Sequence, residues 1–220
     1  MSIASYIDHT VLKPTTTAED VKKLCAEALS LQCAAVCVPP YYVPLAKELL
    51  QEGAVKTATV IGFPFGYSCS AAKLAEARLA LEQGCDELDM VINLAALKNG
   101  DWLTLGKEGR LMTNVIHEAG KSIKVIIESG LLTDEEIIRC CQLYGDMGVD
   151  FMKTSTGYAE KSASVHAVAL MRSHLPENVQ IKAAGGIRTF EFAKALLDAG
   201  ATRLGCSATL QLVAEENNSK

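Results

Sequence analysis

A short run of apolar and β-branched residues followed by an amphipathic stretch recurs eight times along this 220-residue chain, with no linker rich in Pro, Gly or Ser between copies. Strand-sized runs occupy 5–7, 34–38, 56–61, 87–92, 122–127, 149–153, 179–183 and 203–205. Helical patterns follow them at 18–30, 43–51, 70–83, 101–119, 134–146, 163–174, 189–199 and 207–215. Such alternation predicts an α/β fold with a parallel sheet, because a strand needs a crossover helix to bring the chain back beside it in the same direction. Thr17 ahead of Glu19 and Asp20, and Thr133 ahead of Asp134, Glu135 and Glu136, put acceptors and negative charge where helix N-termini leave N–H groups free. Gly53, Gly84, Gly148 and Gly200 precede strands as helix terminators.

Eight such units at about 27 residues each fit a small TIM (β/α)8 barrel, with a doubly wound sheet as the competing architecture. A weak internal repeat favours the barrel. One frame recurs as QCAAVC at 32–37, GCDELD at 84–89, GVDFMK at 148–153 and GATRLG at 200–205. These copies fall on strands 2, 4, 6 and 8. Alternate strands of a barrel share interior layers, so Cys37, Asp89, Lys153 and Gly205 are predicted to meet near the C-terminal ends of the strands. The expectation is one TIM-barrel domain over 1–220, with its core at about 3–214 and a polar, frayed tail at 215–220.

Composition removes several function classes. Hydrophobic residues make up 49% of the chain and charged ones 21%, a balance that excludes dominant disorder. A net charge of −5 with no basic tract argues against nucleic acid. With no basic-then-apolar leader and no apolar stretch of membrane length, the expectation is a cytoplasmic protein without a membrane partner. The eight cysteines lack zinc-like spacing and read as reduced thiols, and His9, His117, His166 and His174 form no visible ligand cluster, so no metal is expected.

Two lysines stand on strands rather than on wet helix faces: Lys153 in DFMKTSTG and Lys182 in VQIKAAGGIRT. A second ammonium and partial burial both lower a lysine's pKa and free its amine to attack a carbonyl. With Asp89 nearby to move protons through water, the set points to Schiff-base chemistry. After strand 7 comes Ala184-Gly185-Gly186-Ile187-Arg188, and strand 8 runs through Gly205 and Ser207 into the last helix. Glycines let backbone N–H groups approach an anion, the helix N-terminus adds positive charge, and these two loops commonly hold phosphate in barrels.

Seven ordered blocks spread over about residues 3–214 carry a resemblance: DHTVLKP at 8–14, CAAVCVPPYYV at 33–43, ATVIGFPFG at 58–66, DELDMVIN at 86–93, KVIIESGLLT at 124–133, FMKTSTGY at 151–158 and IKAAGGIRT at 181–189. The chain closely resembles the bacterial-type deoxyribose-phosphate aldolase family. That resemblance implies a class I aldolase on a TIM barrel, cleaving 2-deoxy-D-ribose 5-phosphate to acetaldehyde and D-glyceraldehyde 3-phosphate with no metal or organic cofactor. It puts the Schiff-base lysine at Lys153, the proton-relay pair at Asp89 and Lys182, and the phosphate loops at Gly157, Gly185, Gly186, Gly205 and Ser207. Asp8 and Thr10 match positions lining the same pocket, and Cys37 falls beside them in the repeat layer. The implied partners are small phosphosugar and aldehyde substrates, and a homodimer is suggested. Pro39, Ser129 and Thr209 depart from the family's usual residues. Of these, Thr209 is expected to crowd or hydrogen-bond the phosphate. The rivals are another phosphosugar barrel, transaldolase-like or a pentose-phosphate epimerase, and a phosphosugar-binding protein without catalysis.

Overall fold

Parallel strands in chain order close on themselves in the computed structural model, which describes residues 2–51 and 53–219. The strands are β1 (Ile7–Thr10), β2 (Ala35–Val38), β3 (Lys56–Ile61), β4 (Glu87–Val91), β5 (Ser122–Ile126), β6 (Phe151–Lys153), β7 (Gln180–Ala184) and β8 (Arg203–Cys206), with β1 paired to β8. Around them lie α1 (Ala18–Leu31), α2 (Val43–Leu50), α3 (Ser70–Glu82), α4 (Leu94–Lys98), α5 (Trp102–Glu118), α6 (Asp134–Gly145), α7 (Val165–His174), α8 (Phe190–Asp198) and α9 (Thr209–Asn218). This is the TIM barrel, and the doubly wound alternative is excluded. Among the described residues no helix is long and apolar enough to cross a membrane.

Period-two alternation divides each strand between two environments. Ile7, Val36, Leu88, Met90, Ile123, Val125, Met152, Ile181 and Leu204 face outward and pack under the helices in the main core. The opposite faces fill the barrel interior. On the β2 and β3 side that interior is apolar, with Ala35, Cys37, Ala58 and Val60 in contact. Elsewhere it is charged: Asp8, Glu87, Asp89, Lys124, Lys153 and Lys182 are all buried.

Strand register sorts these residues by height. Cα partners across neighbouring strands include Asp89 with Lys124, Lys124 with Phe151, Lys153 with Lys182 and Lys182 with Arg203. Because barrel strands tilt, each step to the next strand descends by one layer. The lower layer is then Ala35, Glu87, Phe151 and Arg203. The middle layer is Asp8, Ala58, Lys124 and Lys182. The upper layer is Cys37, Asp89, Lys153 and Gly205, the four positions that the sequence repeat singled out.

Local signals explain most element boundaries. Thr17 and Thr133 each form a capping box, with Asp20 and Glu136 respectively, at the starts of α1 and α6. Gly84, Gly148 and Gly200 have φ of 85°, 71° and 113°, the left-handed conformation that ends a helix.

Two expectations need correction. The first strand covers Ile7–Thr10 rather than 5–7, because Ile3–Tyr6 winds into a 3₁₀ turn whose N-terminus is capped by Ser2 Oγ. The tail is not frayed over its described part: α9 continues to Asn218, while Lys220 lies outside the described residues. Glu216 is buried and accepts from Ser2 Oγ at 2.9 Å and Ile3 N at 3.1 Å, so the end of α9 caps the turn that leads into β1. Glu215 accepts from Phe190 N at 2.7 Å, at the start of α8.

Candidate active site

Asp89 is the hub of the interior charges. Its Oδ1 accepts from Lys124 Nζ at 2.8 Å, and its Oδ2 accepts from both Lys153 Nζ and Lys182 Nζ at 2.7 Å. Asp8 accepts from Lys182 Nζ through Oδ2 and from Arg203 Nη1 through Oδ1, the latter at 2.7 Å. Glu87 pairs with Lys124 at 2.6 Å and with Arg203 at 3.0 Å. The Phe151 ring lies against two of the cations, 5.9 Å from Lys124 Nζ and 5.3 Å from Arg203 Cζ. A buried charge persists only with partners, and each of these has one or more.

The partners decide which group changes protonation. Burial alone would raise the carboxyl of Asp89, but the three ammonium groups around it outweigh burial and hold it well below the ordinary aspartate range. Asp8 is lowered in the same way by Lys182, Lys124 and Arg203. Burial pushes Lys182 down, yet two carboxylates, Asp8 and Asp89, raise it above the usual lysine value. Lys124 is raised well above that value by Asp89, Glu87 and Asp8 against its burial. Lys153 goes the other way. Burial lowers it, Lys182 adds to the lowering, and Asp89 is the one carboxylate that opposes them strongly. Cys37 is pushed up to about 11 by burial and stays a thiol.

Above this network opens a cleft of about 970 Å³. Lys153 lies at its floor, and its walls include Thr10, Thr156, Gly157, Gly185, Gly186, Gly205 and Ser207. Gly157 and Gly185 both have φ of 88° and pack backbone against backbone: a Cβ on Gly185 would stand 3.2 Å from the Gly157 Cα and 2.8 Å from Ser162. A Cβ on Gly205 would stand 3.2 Å from Lys182 Cε and 2.8 Å from Ala184 Cβ. Glycine is therefore required at both places for close approach. The N-terminus of α8 is capped by Thr189, whereas α9 is preceded by Ala208, which gives it no side-chain cap. Glycine N–H groups beside an uncapped helix start are the kind of donors from which an anion cradle is built.

Structure thus gathers Lys153, Thr10 and all five positions expected to hold phosphate onto one cleft, and it places Asp89 and Lys182 in one hydrogen-bonded cluster with Lys153. Asp8 and Cys37, expected in the pocket, do not line it; both are fully buried. Asp8 is retained there by Lys182 and Arg203, and Cys37 by the apolar patch of β2 and β3. Thr209 does not face the cradle either. It is buried, with Oγ1 on His9 Nδ1 at 2.8 Å, and His9 in turn meets Glu27 at 2.9 Å. Neither Pro39 nor Ser129 reaches the cleft wall.

Sequence reasoning missed Glu87, Lys124 and Arg203, although Glu87 and Arg203 stand two residues before Asp89 and Gly205 and so share their inward face. It also passed over cleft residues. Arg188 and Lys13 are exposed cations on the rim. Tyr158 donates to Leu12 O at 2.8 Å and sets its ring edge-on to Phe63 at 5.5 Å, and it closes one side of the cleft. Thr156 is tied to Glu128, which is buried and has φ of 54°.

Barrel, buried lysine and glycine-lined cleft are those of a TIM-barrel enzyme, and comparison with known proteins gives its class as aldolase. The family model for DeoC/LacD family aldolase matches residues 2–211. A protein named deoxyribose-phosphate aldolase from Thermococcus gammatolerans is 50% identical over 222 residues, covering 100% of this chain and 99% of the relative. One of the same name from Clostridioides difficile is 44% identical, covering 98% of this chain and 97% of its own. The solved structure of a deoxyribose phosphate aldolase from Aeropyrum pernix, described as tetrameric, superposes with a TM-score of 0.92 at 31% identity, covering 99% of this chain and 92% of that one. The chain belongs to the DeoC/LacD family of aldolases.

Proposed function

We propose that this aldolase cleaves 2-deoxy-D-ribose 5-phosphate reversibly to acetaldehyde and D-glyceraldehyde 3-phosphate through an imine on Lys153. The observation that carries this reading is that, of three lysines inside the barrel, Lys153 alone lines the cleft and alone has a lowered pKa. Its neutral amine attacks C1 of the open-chain sugar, and loss of water gives a protonated imine. That imine is the electron sink. A water held by Asp89 and Lys182 takes the C3 hydroxyl proton, the C2–C3 bond breaks, and glyceraldehyde 3-phosphate leaves an enamine on Lys153. The same water returns that proton to C2, and hydrolysis of the resulting imine releases acetaldehyde and restores the amine.

Asp89 remains a carboxylate throughout and orients both lysines, while the ammonium of Lys182 supplies the neighbouring positive charge. Gly157, Gly185, Gly186, Gly205 and Ser207 hold the phosphate, with Arg188 and Lys13 above it. The phosphate keeps the reacting carbons in register over Lys153, so its binding contributes to orientation as well as to affinity.

Borohydride reduction in the presence of acetaldehyde, read by intact and peptide mass spectrometry, tests this. The expected result is a reduced two-carbon adduct on Lys153, absent in Lys153→Leu; native protein that binds phosphate yet gives no adduct excludes the mechanism. Self-association is also proposed, as a homodimer, and light scattering on the native protein decides it.

A further inference from the structure

The interior network has a charge count that the imine mechanism leaves unused. Three carboxylates, Asp8, Glu87 and Asp89, meet four cations, Lys124, Lys153, Lys182 and Arg203, which leaves one surplus positive charge. Loss of one proton makes the buried set neutral. Lower-layer Arg203 and Glu87 contribute opposite charges to this balance, and neither lines the cleft. Both are nonetheless linked upward: Arg203 binds Asp8, which binds Lys182, and Glu87 binds Lys124, which binds Asp89.

We propose that Arg203 and Glu87 are positioning residues for the amine of Lys153, with Arg203 supplying the surplus charge that makes this amine give up its proton and Glu87 limiting that surplus to one. This rests on the imine reading above and deepens it. The position of each partner explains why the proton leaves from Lys153. Lys182 and Lys124 each pair with two or more of the carboxylates, whereas Lys153 has Asp89 only. Arg203 keeps its proton at any working pH and so acts as a fixed charge.

Other groups facing Lys153 form no ion pair with this set. From β2 comes Cys37, a neutral thiol; the inward residues of β3, Ala58 and Val60, carry no charge. From beyond β5 comes Glu128, which accepts from Thr156 and makes no ion pair with the network; burial raises its pKa, Lys153 acts on it only as a more distant charge, and its contribution is the same in all four forms compared below. On β6 itself the inward neighbour is Phe151.

The test is the pH dependence of trapping on Lys153, measured with acetaldehyde and borohydride on the full-length protein, for four forms: parent, Arg203→Met, Glu87→Gln and the double variant. Arg203→Met removes the surplus, so the pH at which trapping reaches half its maximum should rise by about one unit. Glu87→Gln adds a second surplus charge, and the midpoint should fall by a similar amount. In Glu87→Gln/Arg203→Met the original count returns, and so should the midpoint. Loss of packing alone cannot give shifts of opposite sign that cancel in the double variant. Midpoints that stay put, or that move the same way in both single variants, overturn the proposal while leaving the imine intact. No adduct on the parent overturns the imine reading and this inference together. Should Arg203→Met fail to fold by circular dichroism, the downward shift in Glu87→Gln still decides, since a structural role gives none.

Discussion

Lys153 and Lys182, Cα partners across β6 and β7, donate to one and the same oxygen, Asp89 Oδ2, each at 2.7 Å. Sharing an acceptor does not give them a common fate. Lys182 has Asp8 as a second carboxylate and is held as an ammonium, whereas Lys153 has none and is pushed toward the free amine. One carboxylate more or less separates a fixed charge from a nucleophile.

This asymmetry sets opposite expectations for removing the two side chains. Lys182→Met leaves Asp8 and Asp89 buried with fewer partners, and breaking a buried pair costs about 3–5 kcal/mol. At about 2–4 °C per kcal/mol for a chain of this size, Tm should fall by roughly 10 °C. Lys153→Met removes a buried group whose charged form is disfavoured, and Asp89 keeps Lys124 and Lys182. It should abolish trapping and yet raise stability by about 0.5–2 kcal/mol, as at active sites that carry strain for function. Thermal melts of both variants check this, and equal losses in the two would contradict the asymmetry.

Acid should weaken the barrel through Asp8 and Asp89. Both carboxyls are lowered in the fold relative to the unfolded chain, so their stabilisation is fully present above the ordinary aspartate value of about 3.9. It is lost as the pH falls from there through their depressed folded values, where protonation releases Lys182, Lys124 and Arg203 from their partners. Urea midpoints taken between about pH 2 and pH 6 should decline below about pH 4. In Asp8→Asn the decline should be shallower, and an unchanged slope would remove Asp8 from the account.

Much of this site is legible in the sequence, because the barrel converts sequence position into height. The frame shared by 32–37, 84–89, 148–153 and 200–205 placed Cys37, Asp89, Lys153 and Gly205 in one layer, and register puts them there. Residues of the odd strands were harder, since no repeat marks them. Lys124 sits in an otherwise apolar run, KVII, and its inward direction follows only from pairing with Asp89. Asp8 and Thr10 were both expected in the pocket because the family resemblance matches them there, yet two residues along an inclined strand is enough to sink the Asp8 side chain beneath the floor. On α3, Lys73 faces inward to Glu108 at 2.8 Å, a buried pair that helical spacing alone does not announce. The long-range bond from Glu216 to Ile3 joins the two ends of the chain, beyond the reach of any local pattern.

That contact carries its own expectation. Ile3 N is buried, and Glu216→Ala withdraws its acceptor, a loss of about 1–3 kcal/mol for a backbone donor left without a partner. Tm should fall by roughly 3–10 °C, while trapping on Lys153 in the folded protein at 25 °C stays within about twofold, because β1 keeps its pairing to β2 and β8. Melting curves and trapping yields measured on the same preparation separate the two effects. A loss of trapping as large as the loss of stability would mean that the tail contributes to the cleft directly.

Gly185→Ala should separate phosphate binding from chemistry at Lys153. At φ of 88° an alanine is strained by about 1–2 kcal/mol, and its Cβ would meet Ser162 at 2.8 Å, so the loop must shift away from Gly157. The N–H groups of the cradle then lose their aim. One charge-assisted hydrogen bond is worth about 1.5–3 kcal/mol, so KM for 2-deoxy-D-ribose 5-phosphate should rise about ten- to a hundredfold. The same enzyme acting on unphosphorylated 2-deoxy-D-ribose never used those donors, and its kcat/KM should change by no more than about twofold. Side-by-side kinetics on the two sugars give the answer. An equal loss on both would mean that Gly185 supports the floor around Lys153 rather than the phosphate, whereas a loss confined to the phosphorylated sugar assigns the loop after β7 to the anion.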